Sequence, residues 1–255
     1  DGIVRDDVVF ALAGIGEAAV EPLLRASNGQ QTDVTVAALR ALTIIGGEKA
    51  AQRLVAALYD PLAAVRAEAS QGVRAIGRAA VPVLVASVRQ SVAPDGGEAL
   101  VAALADLREA ALPEVVALLE SNDERLRSLG AEVLGRMGMV AAPVLRRALS
   151  HSDPAVRTLA ARGVAHVGDV SLVPDLIDLL EDQDTGVVAE AIHALADLGD
   201  ARGATPIVRC VGATSPAIRE ALDYALPVMG PAVAHPLTDL LTSEDPLVVQ
   251  QATTA

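Results

Sequence analysis

A unit of about thirty residues recurs along the chain, and residues 153–182 show it most clearly. In its first half, apolar or small residues recur at three- and four-residue spacing, which is typical of a helix with one buried face. They are Val156, Leu159, Ala160, Gly163, Val164 and Val167. Asp153 and Pro154 suit the start of this helix and Gly168 suits its end. A second apolar pattern from Leu172 to Leu180 completes a predicted helical hairpin that cannot bury its apolar face alone.

Two markers repeat at constant spacing and indicate stacked repeats. The position of Arg157 has counterparts 30 or 31 residues apart, at Arg5, Val36, Arg66, Gly97, Arg127, Val188, Arg219 and Val249. The helix-ending glycine recurs at Gly16, Gly46, Gly77, Gly138, Gly168, Gly199 and Gly230, and Arg108 occupies the one missing place. We therefore predict an all-α fold, a right-handed α-α superhelix of about eight two-helix repeats.

The predicted repeats form a single domain over residues 1–255. They start near residues 1, 32, 60, 93, 123, 153, 184 and 215, and a partial ninth repeat starts at 245. No polar cap is evident at the last repeat, so we expect further protein, or a partner, beyond Ala255.

The repeats resemble the short HEAT-like repeats, also called phycobilisome-lyase HEAT-like repeats. The matching segments are DGIVR (1–5), DPLAAVR (60–66), DERLR (123–127), DPAVR (153–157) and SPAIR (215–219), with closing segments ALAGIG (11–16), VLGRMG (133–138) and ALADLG (194–199). The resemblance implies a HEAT-like solenoid in which the recurring Asp and Arg cap helices and link successive layers. It says little about function, because scaffolds, lyases and hydroxylases share this repeat.

Composition and charge exclude several classes of function. The net charge of −13 disfavours nucleic-acid binding, which depends on neutralising phosphates. No uncharged apolar run reaches the roughly 18–20 residues of a membrane span. The single cysteine, Cys210, rules out an internal disulfide and is expected to be a buried structural thiol.

Enzyme chemistry finds little support in the sequence. The four histidines, His151, His166, His193 and His235, are not followed by Glu, whereas the di-iron hydroxylases of this repeat family use His-Glu pairs. His, Cys and carboxylates do not cluster at zinc-ligand spacing. We therefore predict no catalytic residue, no metal and no cofactor.

The second helices are expected to line the concave face, where solenoids usually bind. Repeats two to four should offer a smooth groove of Val and Ala formed by Val55, Ala56, Val85, Ala86 and Val116, with Tyr59 and Arg89 one helical turn further along. Later repeats place charge on the same face, at Arg146, Arg147, Asp178, Glu181, Arg209 and Asp239. Residues 169–200 also form an acidic block without Lys or Arg, which either steers a basic partner or is plain solvated surface. The arginines likewise either contact an acidic partner or are solvated.

These observations predict a non-catalytic scaffold or adaptor that binds another protein, alone or within a larger complex. The alternative is a phycobilin-lyase-like subunit in which Arg146, Arg147 and Arg209 hold the propionates of a bilin, although no aromatic residue aligns beside them. We expect a cytoplasmic protein. Its N-terminus is expected to be processed or trimmed, because the sequence begins at a repeat boundary without Met.

Overall fold

A computed structural model describes residues 2–29, 31–90 and 97–240. Within these ranges the regular structure is helical and contains no strand. The helices are α1 (Gly2–Ile15), α2 (Val20–Ser27), α3 (Thr32–Ile45), α4 (Glu48–Ala57), α5 (Ala63–Ile76), α6 (Val81–Gln90), α7 (Gly97–Asp106), α8 (Leu112–Leu119), α9 (Glu124–Met137), α10 (Ala142–Leu149), α11 (Pro154–Val167), α12 (Val173–Asp178), α13 (Thr185–Leu198), α14 (Ala204–Arg209), α15 (Pro216–Met229) and α16 (Pro231–Leu240).

These helices form eight consecutive pairs, so the all-α class and the eight-repeat pattern are confirmed. In most pairs a short 3₁₀ segment, such as Gly77–Ala80, leads from the first helix into the second. The predicted repeat start at residue 93 and the partial ninth repeat from 245 lie outside the described residues.

The chain divides into two compact units, residues 1–117 and 118–255. In the first unit, α1, α3, α5 and α7 pack in succession as one layer, and α2, α4 and α6 form the other. In the second unit, α9, α11, α13 and α15 form the first-helix layer, while α10 packs on α12 and α14 on α16. A single domain over the whole chain stays a prediction.

The core of each unit lies between its two helix layers and is built from aliphatic side chains. In the first unit Leu39, Leu42 and Leu54 are fully buried. In the second unit Val156 and Val164 are almost fully buried, as the apolar pattern of the repeat predicts. Burying each such side chain stabilises the fold by about 1.5–3 kcal/mol before entropy costs.

The helix-ending positions adopt a backbone conformation that favours glycine. All seven predicted glycines have positive φ, from 52° at Gly230 to 72° at Gly46 and Gly168. Arg108 stands at the one helix-ending position without glycine. Its φ is also positive, at 47°, and it is the one non-glycine residue with positive φ among the described residues. The repeat therefore imposes the conformation even where the sequence lacks glycine.

The recurring Asp and Arg have the structural roles that the resemblance implies. The side chains of Asp123, Asp153 and Asp184 accept hydrogen bonds from backbone N–H groups of the first helical turn. Each cap satisfies a donor that has no partner within the helix. The arginine of the motif turns back to the preceding junction: the guanidinium of Arg157 donates to the carbonyl oxygen of His151 at 2.7 Å, and that of Arg127 to Ser121 at 2.9 Å.

Candidate functional site

One position of the second helix, the one occupied by Asp178 in α12, is exposed in all eight described pairs. We call this set the outward row. It consists of Arg25, Ala56, Ala86, Ala117, Arg147, Asp178, Arg209 and Asp239. The first unit supplies one charge followed by three alanines, whereas the second unit supplies four charged residues. The second-helix surfaces of the two units therefore differ in chemistry.

The position before the outward row is less accessible than the sequence suggests. Val55 is 2% exposed and belongs to the core, so it cannot contact a partner in this structure. Val85 and Val116 are half-buried.

Two further predicted residues lie one helical turn beyond the outward row. Tyr59 is 45% exposed, and partial burial of its ring raises the pKa of its hydroxyl. Arg89 is exposed at the end of α6.

A groove of about 520 Å³ lies between α4 and α6 in the first unit. Ala86 lines it, together with a set that is more polar than the predicted Val–Ala surface. These further residues are Gly47, Glu48, Gln52, Ala79, Pro82, Val83, Ser87 and Gln90. Sequence analysis missed Gln52 and Gln90, which lie one helical turn from Ala56 and Ala86 of the outward row. The four-residue spacing from Gln52 to Ala56 and from Ala86 to Gln90 could have identified them.

The side chain of Arg146 contacts the next repeat. Its guanidinium lies 3.4 Å from the carboxylate of Asp175 in the next repeat and donates to the carbonyl oxygen of Ser171 at 3.4 Å. Arg147, the next residue, is exposed and its side chain has no hydrogen-bond or ion-pair partner among the described residues. The two adjacent arginines therefore have different roles.

Much of the acidic block is neutralised by arginines from neighbouring positions. The guanidinium of Arg157 donates two hydrogen bonds to Asp182, at 2.7 and 2.8 Å, and these bonds lower the pKa of the Asp182 carboxyl. Arg162 binds Glu190 in the same bidentate manner at 2.9 Å. Arg202 holds the pKa of Asp200 at about 2.

Other acids of the block also have partners within the fold. The carboxylate of Asp197 accepts a 2.6 Å hydrogen bond from the hydroxyl of Tyr224, which raises the pKa of that tyrosine. Asp169 is buried and caps the segment that begins at Val170. In contrast, Asp178 and Glu181 are exposed and have no side-chain partner among the described residues.

Only some of the predicted charged residues therefore lack a side-chain partner within the described part of the fold. Arg209, like Arg147, is exposed and unpartnered among the described residues, and Asp239 is exposed with the ring of His235 3.9 Å away. His235 lies on α16, one turn before Asp239. What the arrangement offers chemically is a surface for charge recognition.

Within the described ranges, His, Cys, Asp and Glu form no group of three close enough to hold a metal ion. Cys210 is half-buried, its Sγ lies 3.7 Å from the carbonyl oxygen of Pro206, and burial raises the pKa of the thiol. It therefore stays protonated at neutral pH and is a poor nucleophile.

Glu124–Leu149 is the one stretch of the described chain long and apolar enough, by length and composition, to cross a membrane. It comprises α9, a turn at Gly138 and α10, and half of its most apolar window is buried in the structure. Core helices of this kind pass the same test, so the finding is weak evidence for a membrane span.

Comparison with known protein families gives two matches. A model for HEAT repeats matches residues 142–227, and a model for the PBS lyase HEAT-like repeat matches residues 4–29. A search of curated proteins finds no match.

Solved structures with related helical arrangements include three examples at low identity. An engineered protein is 23% identical over 92% of this chain and 93% of its own, with a TM-score of 0.32. Human deoxyhypusine hydroxylase in complex with glycerol is 18% identical over 90% and 91%, with a TM-score of 0.41. The karyopherin Kap121p, bound to the extreme C-terminus of the protein phosphatase Cdc14p, is 12% identical over 92% and 32%, with a TM-score of 0.42. At these TM-scores the likeness carries no functional argument.

Proposed function

We propose that this chain is a non-catalytic scaffold that binds another protein through its second helices, in keeping with the HEAT-repeat matches over residues 4–29 and 142–227. One observation carries the proposal. The outward row is exposed in every described repeat, and in the second unit Arg147, Asp178 and Arg209 have no side-chain partner among the described residues, whereas nearby charges form ion pairs.

The two units supply different parts of this surface. In the first unit, the groove between α4 and α6 presents Gln52, Ala86 and Gln90, which suits a partner segment with small or polar side chains. In the second unit, exposed charges on the outward row set orientation and association rate more than affinity. Association should therefore weaken as salt is raised.

Partner capture from the native source tests the proposal. The double variant Arg147→Glu/Arg209→Glu should lose the proteins that the unaltered chain retains, because both arginines are exposed and have no side-chain partner among the described residues. Arg78→Glu/Arg108→Glu in the first unit is the matched control with the same change in charge, since both residues are exposed and lie outside the outward row. Equal capture by all three proteins would refute a role for the charges of the second unit.

The non-catalytic character can be tested against the bilin-binding alternative. A bilin would need its propionates held by Arg146, Arg147 and Arg209, but Arg146 already lies 3.4 Å from Asp175. We expect no shift in the absorbance spectrum of a bilin mixed with the purified chain. A shift that disappears in Arg147→Glu/Arg209→Glu would favour the alternative.

A further inference from the structure

Three charges of alternating sign stand at the same position of successive second helices in the second unit. They are Arg147 on α10, Asp178 on α12 and Arg209 on α14, each 31 residues from the next. We call these three residues the charged triplet. All three are exposed, and none has a side-chain partner among the described residues, whereas Arg146, beside Arg147, lies 3.4 Å from Asp175.

The stability of α12 does not explain the middle charge of the triplet. Asp178 is the last residue of α12, and Glu181, which is also exposed, follows within one turn. Carboxylates at the C-terminal end of a helix face the negative end of its dipole, and like charges one turn apart repel each other. Arg147 and Arg209, in the last turns of α10 and α14, fit the dipole. Local stability therefore accounts for the two arginines but not for the acids between them.

A neutral strip runs beside the charged triplet. One helical turn before each charge lies an exposed residue without charge, and these residues are Pro143, Pro174 and Thr205. The strip and the triplet are about 6 Å apart along each second helix, because four residues rise by 1.5 Å each. A helix with its side chains is about 10–12 Å across, so one partner helix laid across the second helices can cover both.

The spacing of the triplet fits an α-helical partner better than an extended one. Packed helices lie about 8–10 Å apart, so successive charges of the triplet are separated by about that distance. Residues seven apart in an α-helix are separated by about 10.5 Å along its axis and lie on nearly the same face. In an extended segment, residues three apart span about 10 Å but point to opposite faces, so they cannot all reach the triplet.

We propose that the charged triplet binds an α-helix of a partner protein that carries an acid, a base and an acid seven residues apart. The acids face Arg147 and Arg209, and the base lies between Asp178 and Glu181. A helix shifted by one heptad keeps only two of the three contacts, so the order of charges selects one register. The inference rests on the proposed function, because it names the kind of partner that the second-helix surface binds.

Fluorescence anisotropy with labelled helical peptides tests the proposal on the full chain at low salt. Each probe is an alanine-rich peptide of about 20 residues, long enough to form a helix in water. One probe carries Glu, Lys and Glu seven residues apart, and the other carries Lys, Glu and Lys at the same positions. The charge-exchanged chain Arg147→Glu/Asp178→Lys/Arg209→Glu serves as the matched variant, and circular dichroism verifies that it is folded.

We expect the unaltered chain to prefer the Glu–Lys–Glu peptide by about threefold or more, and the exchanged chain to prefer Lys–Glu–Lys by a similar factor. General attraction to a chain of net charge −13 would instead favour the more basic peptide with both proteins. Both preferences should weaken as salt is raised. A Glu–Lys–Glu peptide with a proline inside each heptad cannot form the helix, and it should lose the advantage over Lys–Glu–Lys on the unaltered chain.

Three outcomes would overturn the inference: the same peptide preferred by both chains, equal affinity of the unaltered chain for the two charge orders, or no binding at about 1 mM peptide. Undiminished binding of the proline-containing peptide would overturn the choice of a helix. Each of these results leaves the proposed function standing if partner capture still depends on Arg147 and Arg209. Conversely, a reversal of preference while no protein is captured would support the inference and count against the proposed function.

Discussion

Arg108→Gly should stabilise the protein, although it removes a side chain and introduces the most flexible residue. Arg108 has φ of 47°, and a residue with a Cβ pays about 1–2 kcal/mol for that conformation. Glycine removes this strain but loses about 0.4–1 kcal/mol through its greater freedom in the unfolded chain. The balance is a gain of about 0.5–1 kcal/mol. The lost side chain contributes little, because it is exposed and has no partner among the described residues.

Two controls separate backbone strain from other effects of the substitution. Arg108→Ala removes the charge and keeps the Cβ, so it should change the free energy of unfolding by less than about 0.5 kcal/mol. Gly77→Ala is the reverse experiment in the same unit. A Cβ on Gly77 would meet no atom within 4 Å, so its φ of 57° is the sole source of strain. We expect a loss of about 1 kcal/mol.

Urea unfolding followed by circular dichroism gives the required free energies, provided that the slope of the transition is unchanged between variants. Thermal unfolding should show a rise of about 1–4 °C for Arg108→Gly. If the two units unfold separately, all three substitutions should move the same transition, because they lie in the first unit. A stability of Arg108→Gly equal to that of Arg108→Ala would refute the reasoning.

Three further predictions concern the second unit. Gly130→Ala should destabilise it by about 1–3 kcal/mol despite better helix propensity, since the new Cβ would lie 2.7 Å from the backbone nitrogen of Leu119; unchanged urea unfolding would contradict this. Asp182→Asn should cost about 1.5–3 kcal/mol at neutral pH by breaking the bidentate bond to Arg157. Because the pKa of Asp182 is lowered by folding, this contribution is present at neutral pH and disappears as pH falls below about 4, so acid titrations of the variant and the unaltered protein should converge there. Cys210 should react slowly with a thiol reagent until urea unfolds the chain, and fast labelling of the native protein would show that the thiol is not protected.

The period of the repeat was predictable because each unit must bury the same apolar face against its neighbours. The helix-ending glycines and the place of Arg108 followed from the same requirement, and the structure shows the shared positive φ at each. The caps at Asp123 and Asp153 were predictable because they act within one turn of the chain. Because these interactions are local, the sequence of a single repeat is enough to predict them.

The sequence predicted that successive repeats contact each other, but it did not predict which residues form the pairs. Arg162 pairs with Glu190 and Arg40 with Glu68, each 28 residues apart, yet no one acidic position recurs at this spacing in every repeat. The close approach of α8 to Gly130 was also missed. A glycine inside an apolar pattern indicates a close neighbour only when the neighbouring helix is known.

The difference between local interactions and contacts between repeats also explains which predicted site residues lack a partner in the structure. Several charges form ion pairs within the fold, as Arg146 does with Asp175 and Arg157 with Asp182. Sequence alone could not separate these charges from the unpartnered ones, because Arg146 and Arg147 are neighbours and chemically identical. The separation comes from the helix, which directs adjacent residues about 100° apart, so that one reaches the next repeat and the other faces solvent. Arg147, Asp178 and Arg209 occupy the same position of three successive second helices and have no side-chain partner within the described ranges, so they are the strongest candidates for partner binding.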